Sequence, residues 1–316
     1  MPTSSRPSSK STAQPPSRSG NQAFQHITPT ELSSLVKESA QELKAIGANP
    51  EDHYKSFPKT RNGKTRLFNP PRARLRRIHD HLMSSVFSSY QAHPAAYATP
   101  GGGNMRASRK HLRNRWLLHL DLKDFFPSVA RWKVERGLLQ LDFRADVIDL
   151  LCGLVVLNDG LPQGAPTSPL FANIVLEGLD RRIEGLAEKH GFVYTRYLDD
   201  LHLSGDWLID ELAERQVKRI IEQESWSVHP EKGGVFGPTD RQEILGLSVN
   251  QSLGPRHGYV REVRRRIRDF ESRATPISEA EYQSLAGQVA WVSVLSPGRG
   301  RALRTLMRGL ARRGAD

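Results

Sequence analysis

Asp199 and Asp200 stand side by side in YTRYLDDLHLSG, between two β-prone stretches, YTRY and LHLS. Aspartate is a turn residue, and an isolated Asp-Asp pair usually marks a turn and nothing more. These flanks, however, hold no glycine or asparagine for a tight turn, and adjacent carboxylates repel unless a cation neutralises them. A third carboxylate, Asp121, ends the alternating apolar stretch WLLHLDL in WLLHLDLKDFFPSV. Three hard oxygen ligands on neighbouring strands suit Mg²⁺, which takes a few carboxylates plus water and phosphate oxygens. Two such ions, ~3.5 to 4 Å apart, activate an attacking hydroxyl and stabilise a leaving pyrophosphate. Asp124, three residues on, reads as structural. Between Asp121 and the pair lies LPQGAPTSPLFANIVL, where Gly164 and Pro166 make a turn and Ser168 and Pro169 open an apolar helix as N-cap and N1. That helix start and the Gln163 amide suit a nucleotide or base pair.

These residues need a scaffold. From Trp116 to Asn250, short strands alternate with helices: WLLHLDL, RADVIDLLCGLVVLN, SPLFANIVLEGLDRRIEGL, the hairpin YTRYLDDLHLSG, a helix from Ile209 to about Ser225, and the strand EILGLSV. The pattern predicts an α+β sheet domain. Upstream, Thr28 as N-cap, Pro29 and Glu31 predict one helix with Leu32, Leu35, Val36, Leu43 and Ile46 on a face and Gly47 at its end. Of the first 20 residues, 11 are Ser or Pro and none is acidic, so 1–26 reads as a disordered basic tail.

The 316 residues carry 46 Lys and Arg against 34 Asp and Glu, a net charge of +12 and a pI near 10.0, which favours a polyanionic partner. Lys59 to Arg77 holds eight basic residues and no acid, and repulsion among them points to phosphate contact. Arg106 to Arg115 adds five more. From Pro255 onward 13 basic residues face 6 acidic ones, and Val260, Val263, Ile267 and Phe270, then Leu303, Leu306, Met307 and Leu310, recur at helical spacing, predicting a small basic helical domain. The lone cysteine, Cys152, excludes a disulfide framework and suits a reducing cytoplasm. Its apolar surroundings fall short of the ~18 residues a membrane span needs, and no secretory h-region follows the first residues.

The order DLKDFF, LPQGAPTSP, YLDD resembles the reverse transcriptases, and within them the bacterial retron-type enzymes, from about Leu32 to the end of the chain. GKTRLFNPPRARLRRIHDHL, TRYLDDLHLSG, RQEILGLSVN and LAGQVAWVSVLSP carry the narrower resemblance. It implies a right-hand polymerase with fingers (27–115), palm (116–250) and a small helical thumb (251–316). Asp121, Asp199 and Asp200 fall on the family's catalytic carboxylates, which hold two Mg²⁺ ions, and Tyr197 on its motif tyrosine. Phe126 falls on the aromatic that blocks a ribose 2′-hydroxyl, with a plain core residue as the other reading. Gln163 and Gly164 resemble the pair shaping the nucleotide and template pocket, and Arg66 and Lys59 the finger residues that hold the triphosphate. Lys232 falls near a basic residue that protonates the leaving pyrophosphate. Arg264, Arg265 and Arg268 of the thumb-like tail are expected on nucleic acid.

The chain departs from the retron pattern at Ala107 and Ser108, where Asn-Ala precedes His111, at Ile244 and Leu245, where Val-Thr precedes Gly246, at His229, usually Asn, and at Leu198, usually Ala. The resemblance implies an RNA-directed DNA polymerase copying its own structured noncoding RNA in anti-phage defence. Its partners are that RNA and its DNA product, deoxynucleotides and an effector protein, with no membrane. No RNase H, endonuclease or maturase domain is expected after the thumb-like helices. Alternatives are a CRISPR-associated, intron-derived or other defence reverse transcriptase, or a scaffold that binds RNA without synthesis.

Overall fold

The computed structural model describes residues 24–313 apart from Asn62, Ala274 and Pro276. It opens with two short helices, α1 (Pro29–Val36) and α2 (Ala40–Ala48), where the sequence predicts one. Thr28 caps α1 as expected: its hydroxyl accepts the Glu31 amide, and the Glu31 carboxylate accepts the Thr28 amide. The chain then breaks at Lys37, whose φ is 60°, and a second capping box, Ser39 with Glu42, starts α2. Leu32, Val36, Leu43 and Ile46 still enter one core, so apolar periodicity survives the break and conceals it. Gly47 lies inside α2 and not at its end.

A hairpin of β1 (Phe57–Arg61) and β2 (Lys64–Phe68) leads to α3 (Ala73–His81) and α4 (Asn104–Lys110). Then come β3 (Trp116–Leu122), α5 (Phe125–Ser128), α6 (Arg131–Gln140), α7 (Ala145–Val155) and the long α8 (Ser168–His190). A second hairpin of β4 (Val193–Tyr197) and β5 (Asp200–Gly205) is followed by α9 (Glu211–Gln223) and β6 (Val228–Phe236). Three two-residue strands, β7 (Glu243–Ile244), β8 (Leu247–Ser248) and β9 (Gly254–Pro255), precede α10 (Tyr259–Ser272), α11 (Glu279–Leu295) and α12 (Pro297–Arg313). The sheets are antiparallel and the fold is α+β. In the four-stranded sheet, order β4-β5-β3-β6, the strand bearing Asp121 is central and adjoins the one bearing Asp200.

The largest core runs from Phe24 to Trp226, through both the stretch expected as fingers and the one expected as palm, while α10, α11 and α12 close a separate core around Val263, Ile267, Leu285, Val289 and Leu303. Phe24 falls within the expected tail, yet it is only 2% exposed and stacks on Phe143 at 4.6 Å. The rest of that expected tail, 1–23, lies outside the described residues.

The predicted strand EILGLSV is instead the tight hairpin β7–β8, turning through Leu245 (φ 50°) and Gly246 (φ 78°). Both central residues of such a turn need positive φ, and leucine in that place hides the turn from pattern reading. Thr167, not Ser168, stands in the N-cap position of α8, and the Ser168 hydroxyl donates to the Pro162 carbonyl at 2.7 Å. The unbalanced charge expected in Lys59–Arg77 is reduced: Arg74 pairs with Glu38 and Glu42, and Arg76 with Asp80. No described helix is long and apolar enough to cross a membrane.

Candidate active site

In register, Asp121 faces Asp200 across the β3–β5 ladder, and Tyr197 faces Asp200 from β4. One row across the sheet therefore carries Tyr197, Asp200 and Asp121, since directly opposed residues share a face. Asp199 lies in the two-residue turn between β4 and β5, where its carbonyl accepts the Leu122 amide at 3.0 Å and ties the turn to the end of β3. Leu198, the other turn residue, has a φ of 55°, a conformation glycine ordinarily supplies in such hairpins.

Opposite Asp121 the β3–β6 ladder slips, Leu120 pairing with Gly233 but Leu122 with Val228. A bulge of this kind re-aims side chains, and Lys232 within it forms an ion pair with Asp121 Oδ1. Only glycine fits at 233: φ is 93°, and an added Cβ would stand 2.1 Å from the His119 carbonyl oxygen. On the other carboxylate, His119 Nε2 donates to Asp200 Oδ1 at 3.0 Å. Burial, and then the charge of Asp200, push the Asp199 carboxyl up to about 6.

All three carboxylates line one cavity of about 1090 Å³. Arg66, Phe126 and Gln163 line it too, as do Tyr197 and Lys232. Gln163 is fixed by its backbone, whose carbonyl accepts the Asn69 amide at 2.6 Å, and the Phe126 carbonyl accepts the Leu161 amide at 2.9 Å. Asp124 also reaches the cavity while its carbonyl accepts the Ser128 amide of α5. Gly164 adjoins this wall: at its φ of 101°, an added Cβ would press within 3.3 Å of Phe68. Lys59 does not line the cavity. It pairs with Arg66 across the β1–β2 ladder, its ammonium 5.3 Å from the Phe68 ring centre. Arg264, Arg265 and Arg268 lie on α10, away from this cavity, and Arg264 lines a separate cleft of about 600 Å³ with Arg241, Arg261 and Arg299.

Among the described residues, no three or more His, Cys, Asp or Glu side chains close into a metal cage. The donors nonetheless suit Mg²⁺, which binds through one or two carboxylates and fills its remaining positions with water and phosphate. The like-charge pressure on Asp199 is the load that a cation relieves.

The family model for reverse transcriptase (RNA-dependent DNA polymerase) matches residues 57–249. The chain belongs to the reverse transcriptase family. Retron Mx65 reverse transcriptase of Myxococcus xanthus is 35% identical over 273 residues, covering 78% of this chain and 62% of that protein. Retron Mx162 reverse transcriptase of the same organism is 30% identical over 293 residues, covering 79% and 59%. The chain thus spans about 60% of the length of these relatives. The structure of telomerase from Candida albicans with a telomeric RNA fragment aligns over 82% of this chain and 56% of that one, at a TM-score of 0.49 and 12% identity.

Two groups in this reverse transcriptase escaped the sequence reading. Arg196 of β4 and Asp180 of α8 are both fully buried and joined by two hydrogen bonds, 2.7 and 2.6 Å, with the Tyr194 hydroxyl also donating to Asp180 at 2.7 Å. The same guanidinium donates to the Leu198 carbonyl at 3.2 Å, so a buried ion pair braces the turn that carries Asp199. Its signal was present: Asp180 falls between Leu176 and Ile183 on the buried stripe of α8, where an unpaired acid would be costly. The second group is histidine-rich. His111 of the departed motif is buried and bonds Thr195 at 2.7 Å and Ser204 at 2.6 Å, bridging β4 and β5, while its neighbour Ser108 donates to the Ile244 carbonyl at 3.0 Å. Two of the stretches that depart from the retron pattern, at Ser108 and at Ile244, therefore touch each other.

Proposed function

We propose that this chain is an RNA-directed DNA polymerase that copies a structured noncoding RNA into single-stranded DNA, giving an msDNA-type RNA–DNA product within a bacterial anti-phage retron. The observation that carries the reading is the single cavity gathering three carboxylates with Arg66, Phe126 and Gln163. Its retron relatives support the setting. Residues 27–115 act as fingers, 116–250 as palm and 251–316 as thumb, and the separate core of α10–α12 supports the last division.

Asp121, Asp199 and Asp200 would hold two Mg²⁺ ions, which would supply activation of the primer hydroxyl and stabilisation of the leaving pyrophosphate. Arg66 grips the triphosphate, a task suited to a bidentate guanidinium, and Lys59 adds charge from the paired strand. Phe126 stands against the sugar and excludes a 2′-hydroxyl. Gln163 and Gly164 shape the floor for nucleotide and template, with Tyr197 beside the carboxylate row. Lys232 donates a proton to the pyrophosphate, and its place in the lining of the same cavity supports that role. Arg264, Arg265 and Arg268 hold duplex phosphates. The partners are deoxynucleotides, the RNA, its DNA product and an effector protein, in the cytoplasm.

The test is nucleotide addition by the full chain on a primed RNA template with Mg²⁺. The wild type should add deoxynucleotides and discriminate against ribonucleotides, and Phe126→Val should raise the ribo-to-deoxy ratio roughly 10- to 100-fold, the scale on which pocket sterics discriminate. A wild type that adds no deoxynucleotide overturns the reading. An unchanged ratio returns Phe126 to the core.

A further inference from the structure

Behind the row of Tyr197, Asp200 and Asp121 lies a second row, one pleat deeper: Thr195 of β4, His202 of β5 and His119 of β3, paired in register. His119 belongs to this deeper row and reaches diagonally to Asp200, a neighbour within range of a long side chain. Its Nε2 donates to Oδ1 of that carboxylate at 3.0 Å. The imidazole is held in that pose from one side, for His202 lies under it with ring centres 4.7 Å apart and planes within 10°. His202 is 1% exposed and in turn packs near His111, itself bonded to Thr195 and Ser204. On the β6 side His119 pairs with Gly234, which carries no side chain.

The facing carboxylates are thus each held by one oxygen from different strands, Asp121 by Lys232 of β6 and Asp200 by His119 of β3. The two restraints differ in kind. Lysine is a flexible point charge that a cation can displace, whereas a stacked imidazole is a fixed, directional donor. A hydrogen bond to one carboxylate oxygen leaves the other free, and such outer contacts fix a ligand's orientation before the cation arrives.

We propose that His119 is the positioning residue of Asp200, setting the rotation of its carboxylate and hence the affinity of the three-aspartate site for divalent cation. The proposal rests on the polymerase reading and assigns a determinant of cation affinity beyond the three carboxylates. His119 touches neither nucleotide nor primer in this account; it acts through Asp200.

Mn²⁺ serves as the probe, its binding to the full chain followed by titration calorimetry in the absence of nucleotide. His119→Phe keeps a flat ring for stacking and removes the donor, and His119→Gln keeps a donor without the ring. Asp199→Ala marks the loss of the site, and thermal melting of the cation-free proteins reports on folding. His119→Phe should weaken Mn²⁺ binding about 10- to 100-fold, the usual cost of losing an outer-shell partner. Its melting should match the wild type, and His119→Gln should recover part of the affinity. Wild-type affinity in His119→Phe overturns the proposal and leaves the polymerase reading intact. So does weakening that appears equally in both variants and only alongside a lowered melting temperature, which makes His119 a packing residue. If Asp199→Ala binds Mn²⁺ as the wild type does, the three-aspartate site itself is wrong, and the proposal falls with it.

Discussion

Two hairpins carry Arg66, Asp199 and Asp200 to the cavity, and they are built oppositely. Both are antiparallel ladders, β1–β2 presenting Arg66 with Lys59 paired beside it, β4–β5 presenting Asp199 and Asp200. The first stands in solvent: Phe57 is 44% and Leu67 56% exposed, and among its described side chains Thr60 bonds Thr65 at 2.8 Å and the rings of Phe57 and Phe68 stack. The second is buried through most of both strands and braced by a buried ion pair, a histidine clamp and a tie to β3. Carboxylates that share a cation must be fixed before it arrives, or their repulsion drives them apart. Cations that follow a phosphate gain their order from the ligand and need no such foundation.

This contrast breaks first, and most strongly, at the brace. Arg196→Met strands the buried Asp180 charge and should cost about 3 to 5 kcal/mol in urea unfolding, while Arg196→Met with Asp180→Leu should recover most of it. A loss below about 1 kcal/mol would make the hairpins equals. Arg66→Ala should be the mirror case: the KM for deoxynucleotide rises about 10- to 100-fold, the worth of hydrogen bonds to a charged group, while stability stays within about 0.5 kcal/mol. An unchanged KM takes the β1–β2 hairpin out of triphosphate binding. The smallest effect sharpens the electrostatic side. Between the ordinary carboxyl value of 3.8 and about 6, the folded chain holds a proton at Asp199 that the unfolded chain has released. Stability of the cation-free protein therefore falls as pH rises through that window. Asp199→Asn removes the penalty and should stabilise the cation-free chain by about 1 to 2 kcal/mol above pH 6, with no gain below about pH 4. A gain independent of pH would assign the effect to packing instead.

What the sequence disclosed follows the same division. Asp121 at a strand end, the β-prone stretches that flank the paired aspartates and the turn at Gly164 and Pro166 were legible because local alternation and turn chemistry specify them, and the cavity gathers the three carboxylates with Gln163. The supports were not. Arg196 meets Asp180 16 positions away, on another element, and His111 meets Ser204 93 positions away. Periodicity finds a buried face but does not name the partner of a polar residue on it. Breaks that preserve the apolar stripe, as at Lys37, and turns through leucine, as at Leu198 and Leu245, escape for a related reason: packing and pairing overrule local preference there.

Primer extension on an RNA template, wild type beside Asp199→Ala with circular dichroism to show that both are folded, tests the assignment of the carboxylates most directly. The wild type should extend with deoxynucleotides only when divalent cation is present, and Asp199→Ala should lose roughly 100- to 1000-fold in rate or more, the cost of removing preorganised transition-state stabilisation. Equal extension by the two folded proteins would contradict it.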